Sequence, residues 1–247
     1  MNRLKNKVAL VTGAAQGLGE AISRGYAREG AKTVITDIKV ETLKNLEKEL
    51  NDTGIEVLAL ELDVTDEAQW KEVIKAVVDR FGQLDILVNN AGIGLHGNIE
   101  TTAYEDWKKV LNVNLDSVFL GTKYAAKAMI KKGNKGSIIN ISSIAGLVGD
   151  SELLAYSATK GGMRLFTKSA ALHLAKKGIR ANTIHPAYMD TELMKLVPNP
   201  KDMLAATPMG HFGDPDMVAQ GAIYLGSDES AYSTGSELVI DGGYTAI

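Results

Sequence analysis

The chain of 247 residues has no cysteine, few aromatic residues and no surplus of positive charge. Without cysteine it can form neither a disulfide bond nor a thiolate-ligated zinc site, and this composition agrees with a cytoplasmic location. Its formal net charge is −3 at pH 7. Because proteins that bind nucleic acid usually present a basic face, we expect no nucleic-acid partner.

Long apolar runs are also missing. No segment approaches the roughly 20 consecutive apolar residues that span a bilayer. Residues 1–6 are mostly polar and are followed directly by a strand-like run, so we expect no signal peptide. We therefore expect no association with a membrane.

The histidines show no spacing typical of a metal site. They are His96, His173, His185 and His211. We expect no bound metal and interpret all but His96 as structural residues.

What the chain does contain is an alternation of short apolar runs and longer helical patterns. The candidate strands are 7–12, 32–36, 56–62, 84–89, 136–142, 179–185 and 236–240. The candidate helices are 17–29, 40–53, 66–82, 103–113, 115–132, 155–177 and 214–226. Strands that alternate with helices pair in parallel, because a right-handed crossover needs a return of helix length. The pattern predicts an α/β, doubly wound Rossmann fold: a seven-stranded, mainly parallel sheet with helices on both faces. No linker divides the chain, so we expect residues 1–247 to form a single domain.

A glycine-rich turn joins the first candidate strand to the first candidate helix. Backbone N–H groups and the helix dipole attract a phosphate there, and missing side chains let a pyrophosphate approach closely. The spacing is G-x-x-x-G-x-G, which differs from the common dinucleotide fingerprint. Glycine also serves in packing and caps, but the position between strand and helix favours a cofactor site. Its predicted contacts are Gly13, Gln16, Gly17, Leu18 and Gly19.

An acidic residue, Asp37, follows the second candidate strand. A carboxylate at this position accepts hydrogen bonds from the adenosine ribose and repels a 2′-phosphate. The glycine turn has no arginine that could neutralise such a phosphate, and Lys39 is the only cation close in sequence. We therefore expect NAD as the cofactor rather than NADP. The alternative is that Asp37 caps the helix that starts near Val40.

Two further turns follow candidate strands and are predicted to contact the cofactor. Asp63 and Val64 would lie beside the adenine, although Asp63 could equally cap the next helix. Asn90, Ala91 and Gly92 form a small turn that would let the cofactor approach the backbone. A turn stabilised by asparagine remains the alternative for Asn90.

Tyr156 and Lys160 are four residues apart and therefore share one face of a helix. A nearby positive charge favours phenolate, so Lys160 is expected to lower the tyrosine pKa from its usual value of about 10. The hydroxyl of Ser143 could bind the substrate oxygen at the same point. Such a group can transfer a proton between a carbonyl and an alcohol, but it needs a separate hydride carrier.

The joint order of these motifs resembles the short-chain dehydrogenase/reductase family, in its single-domain, NAD(P)-dependent form. The resemblance covers essentially the whole chain, and the C-terminal run from Asp241 to Tyr244 looks closest to the secondary-alcohol dehydrogenases. The motifs that carry it are Thr12-Gly13-x-x-x-Gly17-x-Gly19, Asp63-Val64, Asn90-Ala91-Gly92, Asn114, Ser143, Tyr156-x-x-x-Lys160 and Pro186.

The resemblance implies roles for individual residues. Tyr156 would be the acid/base, Ser143 would hold the substrate oxygen, and Lys160 would bind the nicotinamide ribose. Asn114 would help anchor a water that links Lys160 to solvent. Pro186 and Thr191 would lie near the nicotinamide, although Thr191 could equally cap a helix. Ser142 should point to the opposite side. Many family members have glycine after the proline, and Ala187 here is a departure.

Residues 187–215 are predicted to form a substrate lid, because long irregular stretches often do so. The lid contains several methionines and no arginine, which favours a small, uncharged, mainly apolar substrate, alicyclic ones included. The candidate substrate contacts are Ser143, Tyr156, His96, Leu147, Leu153 and Tyr188.

The expected function is thus an NAD-dependent oxidoreductase that interconverts a secondary alcohol and its ketone. One alternative is a 3-oxoacyl-carrier-protein reductase of the same family, which Asp37 disfavours. Another is a nucleotide-bound regulator without turnover, which should lack part of the catalytic set. By the same resemblance we expect a homotetramer.

Overall fold

The structure is a computed structural model. It describes residues 2–52, 54–133, 135–192, 194 and 200–246. One sheet has the strand order β3-β2-β1-β4-β5-β6-β7, and every neighbouring pair is parallel. The strands are β1 (Val8–Thr12), β2 (Lys32–Asp37), β3 (Val57–Glu61), β4 (Ile86–Asn89), β5 (Gly136–Ile141), β6 (Ile179–Pro186) and β7 (Glu237–Ile240). The predicted doubly wound, seven-stranded fold is confirmed.

Helices cover both faces of the sheet. They are α1 (Gly17–Arg28), α2 (Val40–Asn51), α3 (Glu67–Phe81), α4 (Tyr104–Leu111), α5 (Ser117–Lys132), α6 (Leu154–Ala175), α7 (Pro200–Ala205) and α8 (Pro215–Gly226). One apolar core lies under α1, α2 and α8, and the other lies under α3, α5 and α6. Two covered faces explain why the strands read as continuous apolar runs.

Strand β1 shows how one strand serves both cores. Ala9 and Val11 face the core of α1 and α8, whereas Val8 and Leu10 face the opposite core. All of β1 is buried. A central parallel strand of this kind holds its carboxyl end in a fixed place, and the glycine turn begins at that end.

The region between α4 and α5 differs from the prediction of two separate helices. Residues Asn112–Asp116 form a π-helical turn that connects α4 directly to α5. This wider turn contains Asn114, whose side chain is fully buried. π-Helical turns are rare and often occur at functional sites.

The predicted lid is only partly irregular. It contains the short helix α7, and residues 189 and 213 pair across its base. Positions 193 and 195–199 of the predicted range lie outside the described residues.

The strand order reverses between β1 and β4, which are neighbours in the sheet. In open α/β sheets, ligands bind outside the carboxyl ends of the strands at such a point. Each predicted site motif that follows a strand lies at this edge. In the described ranges, no helix has the length and apolarity needed to cross a bilayer.

Candidate active site

The glycine turn needs its glycines for two different reasons. Gly13 and Gly17 have φ values of +63° and +58°, a region that side chains rarely adopt. Gly19 has no room for a side chain, because a Cβ there would lie 2.0 Å from the Gly13 carbonyl oxygen. Of the described residues, a Cβ on Gly17 would meet only the Thr191 methyl group, at 3.8 Å. A side chain therefore does not fit at Gly13 or Gly19, whereas there is space next to Gly17.

A side-chain network joins this turn to the turn after β4. The Asn90 side-chain amide donates to the carbonyl oxygens of Thr12 and Gly13, at 2.9 and 3.1 Å. The Thr12 hydroxyl accepts from the backbone N–H groups of Asn90 and Ala91, both at 3.0 Å. The Asn90 side chain thus stabilises the glycine turn, whereas the alternative interpretation had it stabilise its own turn. The connecting role of Thr12 was not predicted, because it depends on the pairing of β1 with β4.

The N-terminus of α1 is open towards the same edge. Gln16 is its N-cap residue and makes no side-chain hydrogen bond to the helix. Its Oε1 atom instead accepts from Lys39 Nζ at 2.6 Å. Leu18 is half-buried and packs on the core below. An anion could therefore approach the first N–H groups of α1, so these residues fit the pyrophosphate of a dinucleotide.

The two acidic candidates do not cap the following helices. Asp37 accepts hydrogen bonds from the backbone N–H groups of Ala15 (3.1 Å) and Lys39 (3.0 Å). Asp63 accepts from the N–H and hydroxyl of Thr65, and Asp66 caps α3. The capping alternatives are therefore wrong, and both carboxylates lie at the predicted edge.

The neighbour of Asp63 is placed differently. Val64 is buried in the core beside α3, and its carbonyl oxygen accepts from the Trp70 indole at 2.9 Å. Only the backbone of Val64 could take part in a contact with the cofactor.

Gly92 connects the nucleotide side of the edge to the predicted catalytic residues. A Cβ there would lie 3.2 Å from Asn114 Oδ1 and 3.7 Å from Lys160 Nζ. Asn114 pairs with both backbone groups of Ile93, each at 2.8 Å. The site's two sides are therefore contiguous, and glycine leaves space between the amide and the ammonium group.

Ser143, Tyr156 and Lys160 are brought together beyond the end of β5. The Ser143 side chain lies close enough to the Tyr156 hydroxyl to lower its pKa. Lys160 Nζ lies 5.4 Å from the centre of the Tyr156 ring and donates to the Ile141 carbonyl oxygen at 2.7 Å. The Ser142 hydroxyl donates to the Lys160 carbonyl oxygen at 3.0 Å, away from Tyr156. Ser143 is thus the serine that reaches the phenol.

The pKa of Tyr156 differs from our expectation. Burial raises this pKa above its usual value, and the neighbouring Ser143 side chain lowers it by less. Burial also lowers the pKa of Lys160 to about 8. The expected lowering by Lys160 was wrong for this structure, because the ammonium group lies over the ring rather than at the hydroxyl and because burial disfavours both charges.

The predicted nicotinamide side contains the departure at position 187. Pro186 ends β6, and the Ala187 N–H donates to the Ile240 carbonyl oxygen at 3.1 Å. Among the described residues other than glycine, only Asn6 has a positive φ. The alanine therefore fits without backbone strain. Thr191 lies beside Gly17, as noted above.

Two loops flank the predicted substrate side. Residue Gly97 pairs with Leu153, which places the exposed His96 and the half-buried Leu147 and Leu153 on the same side of the edge as α6. At the lid base, Tyr188 packs edge-on against Tyr244 at 5.6 Å and Phe212 at 6.4 Å between ring centres. Burial, followed by the hydrogen bond to Tyr244, raises the pKa of Tyr188 to about 12.

Tyr244 was missed as a candidate substrate-side residue. Its turn is fixed by the Asp241 carboxylate, which accepts from the N–H groups of Gly243 (2.9 Å) and Thr245 (2.8 Å). The run of two glycines before it signalled a turn but not its contact with the lid.

A cavity of about 520 Å³ lies elsewhere, between α3 and α5, and none of the predicted site residues lines it. Its rim is rich in lysine. In the part of the chain that the structure describes, no group of three or more His, Asp or Glu side chains is placed to hold a metal ion.

A family model described as "Enoyl-(Acyl carrier protein) reductase" matches residues 13–245. The chain is 44% identical over 250 residues to the NADP-dependent (R)-specific alcohol dehydrogenase of Lentilactobacillus kefiri, with 99% of each chain covered. It belongs to the short-chain dehydrogenase/reductase family. It is thus an oxidoreductase, from a family that uses a nicotinamide cofactor.

Other members of this family are similar over their full length. The cyclopentanol dehydrogenase of Comamonas sp. is 40% identical, with all of both chains covered. The 3-oxoacyl-[acyl-carrier-protein] reductase FabG of Thermotoga maritima is 42% identical, with 98% of both covered. A solved structure described as "Crystal structure of gox2181" has a TM-score of 0.96 and 32% identity, covering 99% of this chain and 98% of that one.

Proposed function

We propose that this protein is an NAD-dependent dehydrogenase that interconverts a small, mainly apolar secondary alcohol and its ketone. The observation that carries the proposal is the placement of the Ser143 side chain beside the Tyr156 hydroxyl, with Lys160 beside the same ring. Lys160 lies next to Gly92, and the neighbouring Ala91 packs against Gly13 of the glycine turn. The full set of Asn114, Ser143, Tyr156 and Lys160 disfavours a regulator without turnover.

The bound cofactor supplies the hydride donor or acceptor; Gly13, Gln16, Gly17, Leu18 and Gly19 would hold its pyrophosphate. Asp37 would bind the adenosine ribose, and Asp63 and the Val64 backbone would lie at the adenine. The other proposed contacts are Asn90, Ala91, Gly92, Tyr156, Lys160, Pro186 and Thr191.

The chain's own residues handle the substrate oxygen and its proton. In reduction, negative charge grows on the carbonyl oxygen, and the hydroxyl groups of Tyr156 and Ser143 stabilise that charge by donating to it. The raised pKa of Tyr156 keeps the phenol protonated, which suits this donor role. In oxidation, the Tyr156 phenolate would remove the alcohol proton, so this direction should gain from higher pH.

The substrate class is inferred from the residues around the lid. His96, Leu147, Leu153 and Tyr188 would line the pocket, together with residues of segment 187–215. Tyr188, Tyr244 and Phe212 form an aromatic wall without a cationic side chain, which suits an uncharged substrate. The similarity to an alcohol dehydrogenase and to a cyclopentanol dehydrogenase supports secondary alcohols, alicyclic ones included.

The preference for NAD rests on Asp37. Its carboxylate lies at the end of β2, where it would repel a 2′-phosphate. The cation Lys39 is close by, and the relative from Lentilactobacillus kefiri is NADP-dependent. Turnover with each cofactor at equal concentration therefore tests this part of the proposal directly.

The central test compares the wild type with Tyr156→Phe on a panel of secondary alcohols and ketones. We expect turnover, followed by absorbance of the reduced nicotinamide, to fall about 10²–10⁴-fold in the variant. The dissociation constant for NAD should change little, because the ring remains. Retained turnover in the variant, or no turnover of any panel member by the wild type, contradicts the proposal.

The second candidate is reduction of a 3-oxoacyl thioester, which is favoured by the similarity to FabG of Thermotoga maritima. The panel should therefore contain an acetoacetyl thioester. A higher kcat/KM for this thioester with NADPH than for any alcohol with NAD would favour this candidate.

We also propose a homotetramer, supported by exposed apolar side chains on two parts of the surface. Phe119 on α5 and Leu165 and Leu172 on α6 are 50%, 70% and 82% exposed. Met217 on α8 and Val239 on β7 are also exposed. Light scattering after size-exclusion chromatography tests the assembly, and Leu172→Glu should shift it to smaller species.

A further inference from the structure

His185 on β6 is fully buried, and both of its ring nitrogens have partners. Nδ1 lies 3.0 Å from the main-chain oxygen of Ser143, and Nε2 lies 2.8 Å from Oγ1 of Thr183. A carbonyl oxygen can only accept, so Nδ1 must carry the hydrogen of this bond. In the neutral ring, Nε2 then accepts from the Thr183 hydroxyl, which fixes the tautomer.

The Ser143 carbonyl belongs to the short turn that presents the serine hydroxyl. The same oxygen accepts from the Gly146 N–H at 3.0 Å, and the Ser143 hydroxyl accepts from the Ala145 N–H at 3.1 Å. Arg164 Nη1 donates to the Gly146 carbonyl oxygen at 2.9 Å. Of the described side chains, only His185 hydrogen-bonds the Ser143 main chain.

The contact reaches across the pairing of β5 and β6. Ile141, the last residue of β5, pairs with Ile184, so Ser143 follows just beyond β5 while His185 follows on β6. The Ser142 N–H also donates to the Ile184 carbonyl oxygen, at 2.7 Å. The turn is therefore aligned on β6 by one backbone bond and one imidazole bond.

We propose that His185 is a positioning residue: its Nδ1–H holds the Ser143 main chain so that the serine hydroxyl faces Tyr156. The effect on turnover rests on the proposed function above, but the geometry does not. His185 itself is too deeply buried to touch the substrate.

The charged groups around the ring do not change this role. Burial lowers the pKa of His185 first, and the Ser143 carbonyl and Glu237 on β7 oppose that effect. Arg164 and Lys160, both on α6, lower the pKa further. If the ring did take up a proton, Nδ1 would still donate to Ser143, and Thr183 could turn its hydroxyl to the Ser236 carbonyl oxygen, 3.5 Å away.

Two substitutions separate positioning from simple packing. The amide of asparagine occupies the place of Nδ1, so His185→Asn can still donate to the Ser143 carbonyl oxygen. The amide of glutamine reaches the place of Nε2, so His185→Gln keeps the Thr183 contact and loses the Ser143 contact. Both variants bury a polar side chain smaller than the imidazole.

We expect kcat to fall roughly 10–100-fold in His185→Gln, because small displacements of catalytic groups have effects of this size. His185→Asn should stay much closer to the wild type. The dissociation constant for NAD should be unchanged in both. If kcat fell equally in the two variants, and in proportion to the decrease in melting temperature, His185 would serve packing only.

A second measurement needs no activity. The ionisation of Tyr156 can be followed without cofactor as tyrosinate absorbance, taken as the difference between each protein and its Tyr156→Phe counterpart. The nearby Ser143 side chain lowers the pKa of Tyr156, so His185→Gln should move the titration to higher pH and His185→Asn should not. An unchanged titration in His185→Gln overturns the proposal. If the wild type turned over no alcohol, the proposed function would fail while this titration still decided the role of His185.

If His185→Gln does not fold, His185→Phe provides the comparison. It keeps a planar ring in the buried site and loses the Nδ1 donor to Ser143 together with the Thr183 contact. A shift of the Tyr156 titration to higher pH supports the proposal, and no shift contradicts it.

Discussion

The two halves of the sheet's carboxyl edge consist of different chemical groups. On the nucleotide side, glycines and backbone groups after β1 and β4 form the surface, and Thr12 and Asn90 hold them from behind. On the catalytic side, polar side chains form the site. Three of them, Asn114, Lys160 and His185, are almost completely buried.

This difference has an energetic consequence. Backbone groups in the glycine turn carry no net charge, so the nucleotide side adds little burial of charge. The catalytic side buries an ammonium group, whose pKa falls to about 8 as a result. The buried charge on the catalytic side therefore lowers folding stability. On the nucleotide side the constraint is steric, because side chains do not fit in the glycine turn.

The largest expected effect is on the nucleotide side, where Gly19→Ala would break the turn. The new Cβ would lie 2.0 Å from the Gly13 carbonyl oxygen and 2.5 Å from Asn90 Nδ2, so the backbone must move. We expect NAD binding, measured by calorimetry or fluorescence, to be lost. The matched control is Gly149→Ala, where no atom of the described residues lies within 4 Å. Normal NAD affinity in Gly19→Ala would show that the turn is not rigid.

The second-largest effect is expected on the catalytic side, in how the stability of Lys160→Met compares with that of the wild type as pH changes. Below pH 8 both the folded and the unfolded wild type carry the lysine proton, and folding must bury the charge. Between pH 8 and about 10.5 the folded protein loses this proton first, so the wild type gains stability as pH rises. Relative to the variant, it should gain roughly 2–3 kcal/mol between pH 7 and pH 10. Urea unfolding at several pH values measures the difference, and a flat difference would contradict the buried ammonium.

The same contrast explains what could be predicted from the sequence. The glycine turn and the Tyr156–Lys160 pair are local patterns, so spacing alone placed them on a turn and on one helix face. Strand ends agree within about two residues because each apolar run is bounded by polar residues. Asn114 was predicted from family resemblance alone, because no pattern of apolar residues signals a π-helical turn.

Contacts between distant segments could not be predicted. His185 reaches Ser143 only through the register of β5 and β6, and Tyr244 reaches Tyr188 only because the chain end returns to the lid. The wrong expectation for the pKa of Tyr156 has the same origin. Sequence spacing brings Lys160 to the ring, but the degree of burial depends on the whole fold.

A third prediction concerns the border between the two halves and the choice of cofactor. Asp37→Asn keeps an acceptor for the Ala15 or Lys39 N–H but removes the negative charge. The ratio of kcat/KM with NAD to that with NADP should fall roughly 10–100-fold, because charge-assisted hydrogen bonds contribute about 1.5–3 kcal/mol. Lys39→Gln should move the ratio the other way if Lys39 attracts a 2′-phosphate. An unchanged ratio in Asp37→Asn would assign cofactor choice to other residues.

The smallest expected effect lies furthest from the nucleotide, at Tyr244. Tyr244→Ala removes the edge-on contact with the Tyr188 ring, and aromatic pairs of this kind contribute about 0.5–1.5 kcal/mol. We expect kcat/KM for secondary alcohols to fall roughly 2–10-fold, with no change in the dissociation constant for NAD. Tyr244→Phe is the matched control, since it keeps the ring and loses only the hydroxyl. If the alanine variant weakened NAD binding as well, the aromatic wall would not belong to the substrate side, and the division of the edge into two halves would be wrong at this point.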